Sequence, residues 1–288
     1  GFGVTVSTTY EQPYLLARKF TTLDHASNGR IAWNIVTSQL ESAARNLGLE
    51  RQMDHDQRYE RADEFLTVCY QLWQHSWQRD ALLRDKQAGI YSDPTKVHAI
   101  NHHGSWFDVP DAHLSEPSPQ RTPVLFQAGG SPRGIAFAAK HAEVVFVAGL
   151  DAAGVRKQVQ AIKAQAHLYG RATDRIKFIS AVTVVTAETA DAAQARFAEL
   201  QSYYDLEGAL IHYAASTGVD LSQHDIDAPL DWRHTNSHQP LLKMVTGAEG
   251  EHRKTLRAVF SPHSRLSRKQ TFRGRGDSVA PPHEPWPA

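Results

Sequence analysis

The sequence has very little cysteine: Cys69 is the only one among 288 residues. An internal disulfide is therefore excluded, and we expect a reducing compartment such as the cytoplasm. Cys69 falls on the apolar side of a predicted helix, where a buried and unreactive thiol is commoner than a nucleophile.

An excess of charge and long apolar runs are also lacking. Lys plus Arg and Asp plus Glu both number 31, which gives no electrostatic basis for binding nucleic acid or an acidic membrane surface. No uninterrupted apolar stretch approaches roughly 18 residues, and no signal peptide is visible. With 41% hydrophobic and 22% charged residues, the composition is typical of a soluble globular protein.

Strands and helices alternate along most of the chain, which predicts a parallel sheet with helical crossovers. Short β-branched or apolar runs predict five strands, at 1–9, 31–38, 123–128, 144–149 and 177–187. A (β/α)8 barrel has eight such units, so we predict an α/β barrel whose first strands are absent and whose last strand is not recognisable. A doubly wound open sheet is the alternative, less favoured because no G-x-G-x-x-G follows a first strand.

Polar residues follow several predicted strands, at the end where barrel enzymes bind their ligands. The clearest case is Gly129-Gly130-Ser131, followed at once by Pro132 and a helix. Glycines allow close backbone approach, and a helix N-terminus attracts anions, so this segment predicts a phosphate cup. The same four residues are also an ordinary helix start, with Ser131 as the cap and Pro132 at the first position.

Three long segments resemble the bacterial luciferase-like flavin monooxygenases. They are GVTVSTTYEQPYLLARKFTTLDHASNGRIAWNIVTS, DQRYERADEFLTVCYQLW and PVLFQAGGSPRGIAFAAKHAEVVFVAG, in that order. The resemblance covers about residues 1–217 and is strongest for the branch with nitrilotriacetate monooxygenase component A, dibenzothiophene-sulfone monooxygenase and pristinamycin synthase.

The resemblance implies a (β/α)8 TIM barrel that uses reduced FMN and O2 to oxygenate a small organic substrate, often with C–N or C–S cleavage. It implies a separate NAD(P)H:flavin oxidoreductase as the supplier of reduced FMN, and a homo-oligomeric assembly. The loops that would select the substrate include 78–122 and the region after about 204. No catalytic residue is assigned, since oxygen activation is the cofactor's chemistry.

The resemblance also implies a set of cofactor-binding residues. The FMN phosphate is expected at Gly130 and Ser131, with the hydroxyl of Tyr59 reaching the same group. His55 precedes Tyr59 by four positions and shares its helix face if the helix begins early. The two remaining predictions are Thr5 and Asn34, on neighbouring strands of the predicted barrel.

The two parts of the chain differ in composition. We predict a partial luciferase-like barrel over 1–250, with an insertion at about 78–122. Residues 251–288 hold eight Lys or Arg against three Asp or Glu and lack a sustained apolar period. This segment is predicted to be a basic tail that is disordered or non-native.

Two alternatives to an active monooxygenase remain open at this stage. One is an inactive, truncated barrel fragment, whose exposed sheet edges would invite association. The other is a metal-dependent barrel hydrolase that would use the histidines His98, His102, His103 and His113. No carboxylate stands at a zinc-motif spacing from these histidines, so no metal site is predicted.

Overall fold

A computed structural model describes residues 1–148, 152–221, 224–228 and 255–257. Asp151, whose residue type predicts a helix cap at this position, lies outside these residues. Nearly all of the predicted tail 251–288 also lies outside them. No helix in the described part of the chain is both long and apolar enough to cross a membrane.

Five parallel strands form the main sheet, and each is followed by helical segments. The strands are β1 (Phe2–Ser7), β2 (Ile31–Val36), β7 (Val124–Gln127), β8 (Val144–Val147) and β9 (Lys177–Ser180). The helices are α1 (Pro13–Ser27), α2 (Glu41–Asn46), α3 (His55–Tyr70), α4 (Pro132–His141), α5 (Ala152–Leu168), α6 (Ala190–Ser202) and α7 (Leu206–Thr217). The predicted alternation of strands and helices is confirmed.

The strand order in the sheet follows the order in the chain, β1-β2-β7-β8-β9. A doubly wound sheet reverses its strand order at a switch point, whereas a barrel does not. All four pairings are parallel. The carboxyl ends of neighbouring strands therefore lie along one rim, as the predicted barrel requires.

Trp33 of β2 occupies the centre of the largest apolar cluster. Its side chain is fully buried, and its ring packs against Phe20 of α1 and against Phe65 and Trp73 beyond the sheet. Its indole N–H donates to the carbonyl of Val6 at 3.0 Å, which satisfies the one polar atom that burial would otherwise leave unpaired. Helix α3 is thus fixed against β1 and β2.

The predicted insertion separates β2 and its helices from β7. It holds two small antiparallel pairs, β3 (Leu82–Asp85) with β4 (Ile90–Ser92) and β5 (His102–His103) with β6 (Asp108–Val109). In sequence, the segment around His103 and Gly104 predicts a hairpin, and the second pair confirms it. Its turn is held by Glu64 of α3, whose carboxylate accepts the backbone N–H groups of Ser105, Trp106 and Phe107.

Two sequence predictions about elements are wrong. The strand expected over 177–187 ends at Ser180, and beyond it Val182 and Val184 are 80% and 73% exposed. Those β-branched residues have no neighbouring strand to pair with among the described residues. The polar segment after β2 was expected to be a loop, but it contains the short helix α2.

Candidate functional site

A cavity of about 560 Å³ opens where β2 and β7 end. Its walls are residues 35–40 at the end of β2 and beyond it, Ala43 of α2, and residues 127–131 at the end of β7 and beyond it. The first turns of α3 add three side chains, namely His55, Arg58 and Tyr59. Ser216 of α7 also contributes. A cavity of this size is in the range of small-molecule and cofactor sites. Four predicted residues line it: His55, Tyr59, Gly130 and Ser131.

Ser131 caps helix α4. Its backbone is extended, and its Oγ accepts the N–H of Gly134 at 3.0 Å. Pro132 occupies the first turn, where its missing N–H costs nothing. The helix-start interpretation is therefore confirmed. It leaves the phosphate interpretation intact, because a serine hydroxyl can donate a hydrogen bond while its oxygen accepts one.

Two glycines allow the end of β7 and the start of α4 to touch. A Cβ atom on Gly129 would lie 3.0 Å from Cα of Gly134 and 2.5 Å from Nε2 of Gln127. A Cβ atom on Gly134 would lie 2.8 Å from the Tyr59 hydroxyl oxygen and 3.1 Å from Ser131 Oγ. Side chains at these positions would push β7, α4 and Tyr59 apart. We call the loop 129–131, together with the start of α4 and the Tyr59 hydroxyl, the cradle.

Tyr59 brings a second hydroxyl to this cradle from helix α3. Burial raises the pKa of Tyr59 above its usual value, while hydrogen bonds with Thr37 and Ser131 oppose that rise. The phenol therefore stays protonated and neutral at physiological pH. Tyr59 and Ser131 thus form a pair of neutral hydroxyl donors beside a helix N-terminus, a donor set that suits a phosphate.

His55 lies one turn before Tyr59, because α3 begins at His55 itself. The two ring centroids are 5.3 Å apart, which confirms the predicted shared face. Nδ1 of His55 is 2.6 Å from the Asp56 carboxylate. With the proton on Nδ1, Nε2 is left as an acceptor.

Thr5 and Asn34 lie side by side in the sheet but do not line the cavity. Nδ2 of Asn34 donates to Oγ1 of Thr5 at 3.1 Å. Oδ1 of Asn34 is buried and has no hydrogen-bond partner among the described residues. Asn34 alternates with Trp33 along β2, so the pair is on the sheet face opposite the apolar cluster.

In sequence, the charges of Glu60, Arg61, Asp63 and Glu64 on α3 predict a solvated helix face, and for all of them except Glu60 this is wrong. The Arg61 guanidinium donates to the carbonyls of Thr8 and Glu11. Asp63 binds Arg133, Lys140 and His141, all from α4. Glu64 binds His102 and the hairpin turn. Their side chains are only 19% and 16% exposed. Arg133 follows the Gly-Gly-Ser-Pro segment, where an arginine could neutralise a phosphate or lie exposed; in the structure it has a carboxylate partner.

The histidines of the insertion are dispersed among separate partners. His98 contacts Gln78, His102 contacts Glu64, His103 contacts Asp108, and His113 contacts Thr21. In the ranges that the structure describes, no three His, Cys, Asp or Glu side chains are grouped in a way that could hold a metal ion. The geometry gives the hydrolase alternative no support. Cys69 is fully buried, and burial raises its pKa.

Two residues of the site were missed from the sequence: Arg58 and Gly134. Thr37 is one of the polar residues that follow predicted strands, and it lines the cavity after β2 as that position predicts. Arg58 lines the cavity while 1% exposed, which no local pattern indicates. In the sequence, Gly134 looks like any glycine in a helix, and only the structure shows that the Tyr59 hydroxyl lies against it.

The sequence profile of the luciferase-like monooxygenases matches residues 1–263. Dimethyl-sulfide monooxygenase of Hyphomicrobium sulfonivorans is 46% identical over 260 residues, covering 90% of this chain and 54% of that protein. Long-chain alkane monooxygenase of Geobacillus thermodenitrificans is 52% identical over 223 residues, covering 77% and 51%. The chain thus spans about half the length of the curated relatives it matches.

A solved structure of a riboflavin lyase with modified FMN and riboflavin aligns with a TM-score of 0.84. It is 40% identical, and the alignment covers 92% of this chain and 58% of that one. The predicted branch is confirmed, since relatives include dibenzothiophene-sulfone monooxygenase, nitrilotriacetate monooxygenase component A and a pristinamycin IIA synthase.

Proposed function

The chain belongs to the luciferase-like monooxygenase family, and from that premise we propose that it is the FMN-binding part of a two-component monooxygenase. The protein would bind reduced FMN and oxygenate a small organic substrate with O2. The observation that carries the proposal is the meeting of two hydroxyls, from Tyr59 and Ser131, in a glycine cradle at the start of α4.

The chemistry of the cradle fits the phosphate of FMN. A phosphate presents several acceptor oxygens, and the cradle offers hydroxyl donors beside the positive end of a helix dipole. Gly129 and Gly134 allow the end of β7, the start of α4 and the Tyr59 hydroxyl to pack closely, which brings both hydroxyls to the helix N-terminus. Tyr59 keeps its proton because burial raises its pKa, so it can donate throughout the physiological range.

The remaining predicted residues have roles toward the rest of the cofactor. Asn34, whose Oδ1 has no partner among the described residues, would accept a hydrogen bond from a flavin N–H, with Thr5 fixing its amide. His55 would orient the flavin beside Tyr59. Bound reduced FMN supplies the electrons that activate O2; the residues of this chain position it and limit access of water.

The partners follow from the same proposal. An NAD(P)H:flavin oxidoreductase would supply reduced FMN, in line with the name component A of the nitrilotriacetate relative. A homo-oligomer and a cytoplasmic location complete the proposal. Both stay predictions.

The substrate class remains a small organic molecule, with C–S or C–N cleavage as the expected type of outcome. The relatives are named for substrates as different as dimethyl sulfide and long-chain alkanes. In the described part of the chain, the cavity is lined by Ser216 of α7 and by no residue of the insertion. We therefore propose that the region of α7, rather than the insertion, selects the substrate.

The test is an anaerobic titration of the chain with reduced FMN and, separately, with riboflavin, which lacks the phosphate. We expect Ser131→Ala to lose one charge-assisted hydrogen bond, about 1.5–3 kcal/mol, or roughly 10- to 150-fold in Kd for FMN. Its riboflavin Kd should not change. Ser202→Ala, in the exposed part of α6, is the matched control.

Equal affinity of the parent chain for FMN and riboflavin would contradict the phosphate cradle. A folded parent chain that binds neither flavin would contradict the proposed function as a whole.

A further inference from the structure

Three side chains of helix α4 converge on one carboxylate of helix α3, that of Asp63. Arg133 Nη2 lies 2.6 Å from Asp63 Oδ2, and Lys140 Nζ and His141 Nε2 lie 3.0 Å and 2.8 Å from Oδ1. Burial alone would raise the pKa of Asp63, but hydrogen bonds from these three side chains outweigh it and hold the pKa well below its usual range. The carboxylate is therefore ionised throughout the physiological range.

His141 extends the same contact into the protein. Its side chain is 5% exposed, and burial lowers its pKa despite the neighbouring carboxylate, so the ring is neutral at pH 7. Nε2–H then donates to Asp63, while Nδ1 accepts from the hydroxyl of Tyr70, 3.1 Å away. Asp63 and Tyr70 of α3 thus hold the last turn of α4.

The same two helices carry the two hydroxyls of the cradle. Tyr59 lies one helical turn before Asp63 on α3, and Ser131 lies two residues before Arg133 at the start of α4. The Arg133 guanidinium stands 5.9 Å from the centroid of the Tyr59 ring. The distance between the two hydroxyls is therefore set by how α4 sits on α3.

We propose that Asp63 is a positioning residue for the phosphate of FMN, acting through Arg133 and His141 to hold Ser131 against Tyr59. The inference rests on the proposed function for its ligand. A bare electrostatic role would have the opposite sign, because a carboxylate near a phosphate repels it. Removing the charge of Asp63 therefore separates the two roles: FMN affinity falls if Asp63 positions Ser131, and it rises if Asp63 only repels the phosphate.

The experiment measures Kd for FMN and riboflavin with Asp63→Asn, and Asp80→Asn serves as the control. Asp80 is a surface carboxylate paired with Lys96 in the insertion, so the change in net charge is the same. We expect Asp63→Asn to weaken FMN binding by about tenfold, with no change in riboflavin binding. Arg133→Gln should weaken FMN binding similarly, and the double variant by no more than either single variant.

A second readout does not need a flavin. The N–H of Gly134 donates to Oγ of Ser131, and the N–H of Ile135 donates to its carbonyl oxygen. Hydrogen exchange of these two amides therefore reports on the start of α4. Asp63→Asn should speed their exchange by about tenfold, the loss of roughly one helix-anchoring contact. Asp80→Asn should leave the exchange unchanged.

The outcomes separate the two proposals. FMN affinity that is unchanged or higher in Asp63→Asn, while Ser131→Ala still loses it, overturns the positioning role alone. If the parent chain binds no flavin, the proposed function fails and the exchange rates still decide whether Asp63 holds the helix. If Asp63→Asn does not fold, Arg133→Gln carries both readouts, and an unchanged FMN Kd with unchanged exchange would overturn the inference.

Discussion

The hydroxyl oxygen of Tyr59 lies against the backbone of Gly134, so close that a Cβ atom there would stand 2.8 Å from it. Residues from two helices, far apart in sequence, therefore share one small volume. The contact explains why a glycine is tolerated in the first turn of α4, where alanine would be the better helix former.

Gly134→Ala should weaken FMN binding, by about tenfold if the loss is near 1.4 kcal/mol. The added methyl group would displace the Tyr59 hydroxyl and crowd Ser131 Oγ, which it would approach to 3.1 Å. Helix propensity acts in the opposite direction, since alanine favours a helix over glycine by about 1 kcal/mol. A titration with FMN measures the net result.

Gly154→Ala is the control for that propensity gain. Gly154 is an exposed residue within α5, so the variant should gain stability and keep its FMN affinity. Tighter FMN binding in Gly134→Ala would show that Tyr59 does not need its present position.

Glu64→Gln should loosen the hairpin turn at Ser105–Phe107. The carboxylate accepts three backbone N–H groups and contacts His102 at 3.2 Å, and a neutral amide cannot accept all of these hydrogen bonds. The local loss should be about 1–3 kcal/mol. Limited proteolysis with chymotrypsin, which cleaves after Trp106 and Phe107, is the measurement. We expect Glu64→Gln to be cleaved there faster than the parent.

Glu60→Gln, an exposed residue one turn earlier on α3, should be cleaved at the parent rate. If Glu64→Gln and the parent are cleaved equally fast, the carboxylate does not hold the turn.

His113 should make the protein lose stability as the pH falls from about 6.5 to about 4. Burial, with a smaller contribution from the charge of Arg18, lowers the pKa of His113 to about 4. The unfolded chain binds a proton near pH 6.5 and the folded chain does not, so protonation favours unfolding between these values. The resulting decrease in the free energy of unfolding approaches about 3 kcal/mol near pH 4 and is absent above pH 6.5.

Urea unfolding at pH 7.0 and pH 4.5 checks this expectation. The quantity to compare is the decrease in the free energy of unfolding between the two pH values, in the parent and in His113→Gln. His113→Gln keeps a polar group near Thr21, which lies 2.9 Å from Nε2, and removes the titration, so its stability should fall less with acid. His167→Gln, at an exposed position, should follow the parent. Equal losses for the parent and His113→Gln would rule out this role.

Trp33→Ala should cost about 3–5 kcal/mol of the free energy of unfolding. The change would leave a cavity among Phe20, Phe65 and Trp73 and would remove the hydrogen bond to the Val6 carbonyl. Denaturant unfolding gives the value. Trp106→Ala, at a side chain 37% exposed, should cost far less, and comparable costs would contradict the central role of Trp33.

Much of the fold could be predicted because local patterns agree with it. In sequence, Phe65, Val68 and Cys69 recur at helical spacing, which predicts α3, and all three side chains are fully buried. Pro13 opens α1 and Asn28 ends it in a left-handed conformation, as their residue types suggest. The Gly-Gly-Ser-Pro segment predicted the cap that Ser131 forms, whereas its phosphate site stays a prediction.

The rest depended on partners that sequence does not place. Asp63 and Glu64 are neighbours on a charged helix, and only the folded chain shows that one binds α4 and the other the insertion. The run after Ser180 has strong β propensity, yet propensity without a pairing strand gives no strand. Thr37 and Gly134 acquire their roles only through Tyr59.

The pairing of β2 with β7 joins parts of the chain separated by α2, α3 and the whole insertion, whereas β1 with β2 and β7 with β8 join successive units. Closing the longer loop costs more entropy, so we expect this seam between β2 and β7 to form late in folding. The cradle straddles it, with Thr37 on one side and Ser131 on the other. A cofactor bound to residues on both sides would therefore slow the separation of β2 from β7 during unfolding. It would do so without contacting the hydrogen bonds between the two strands.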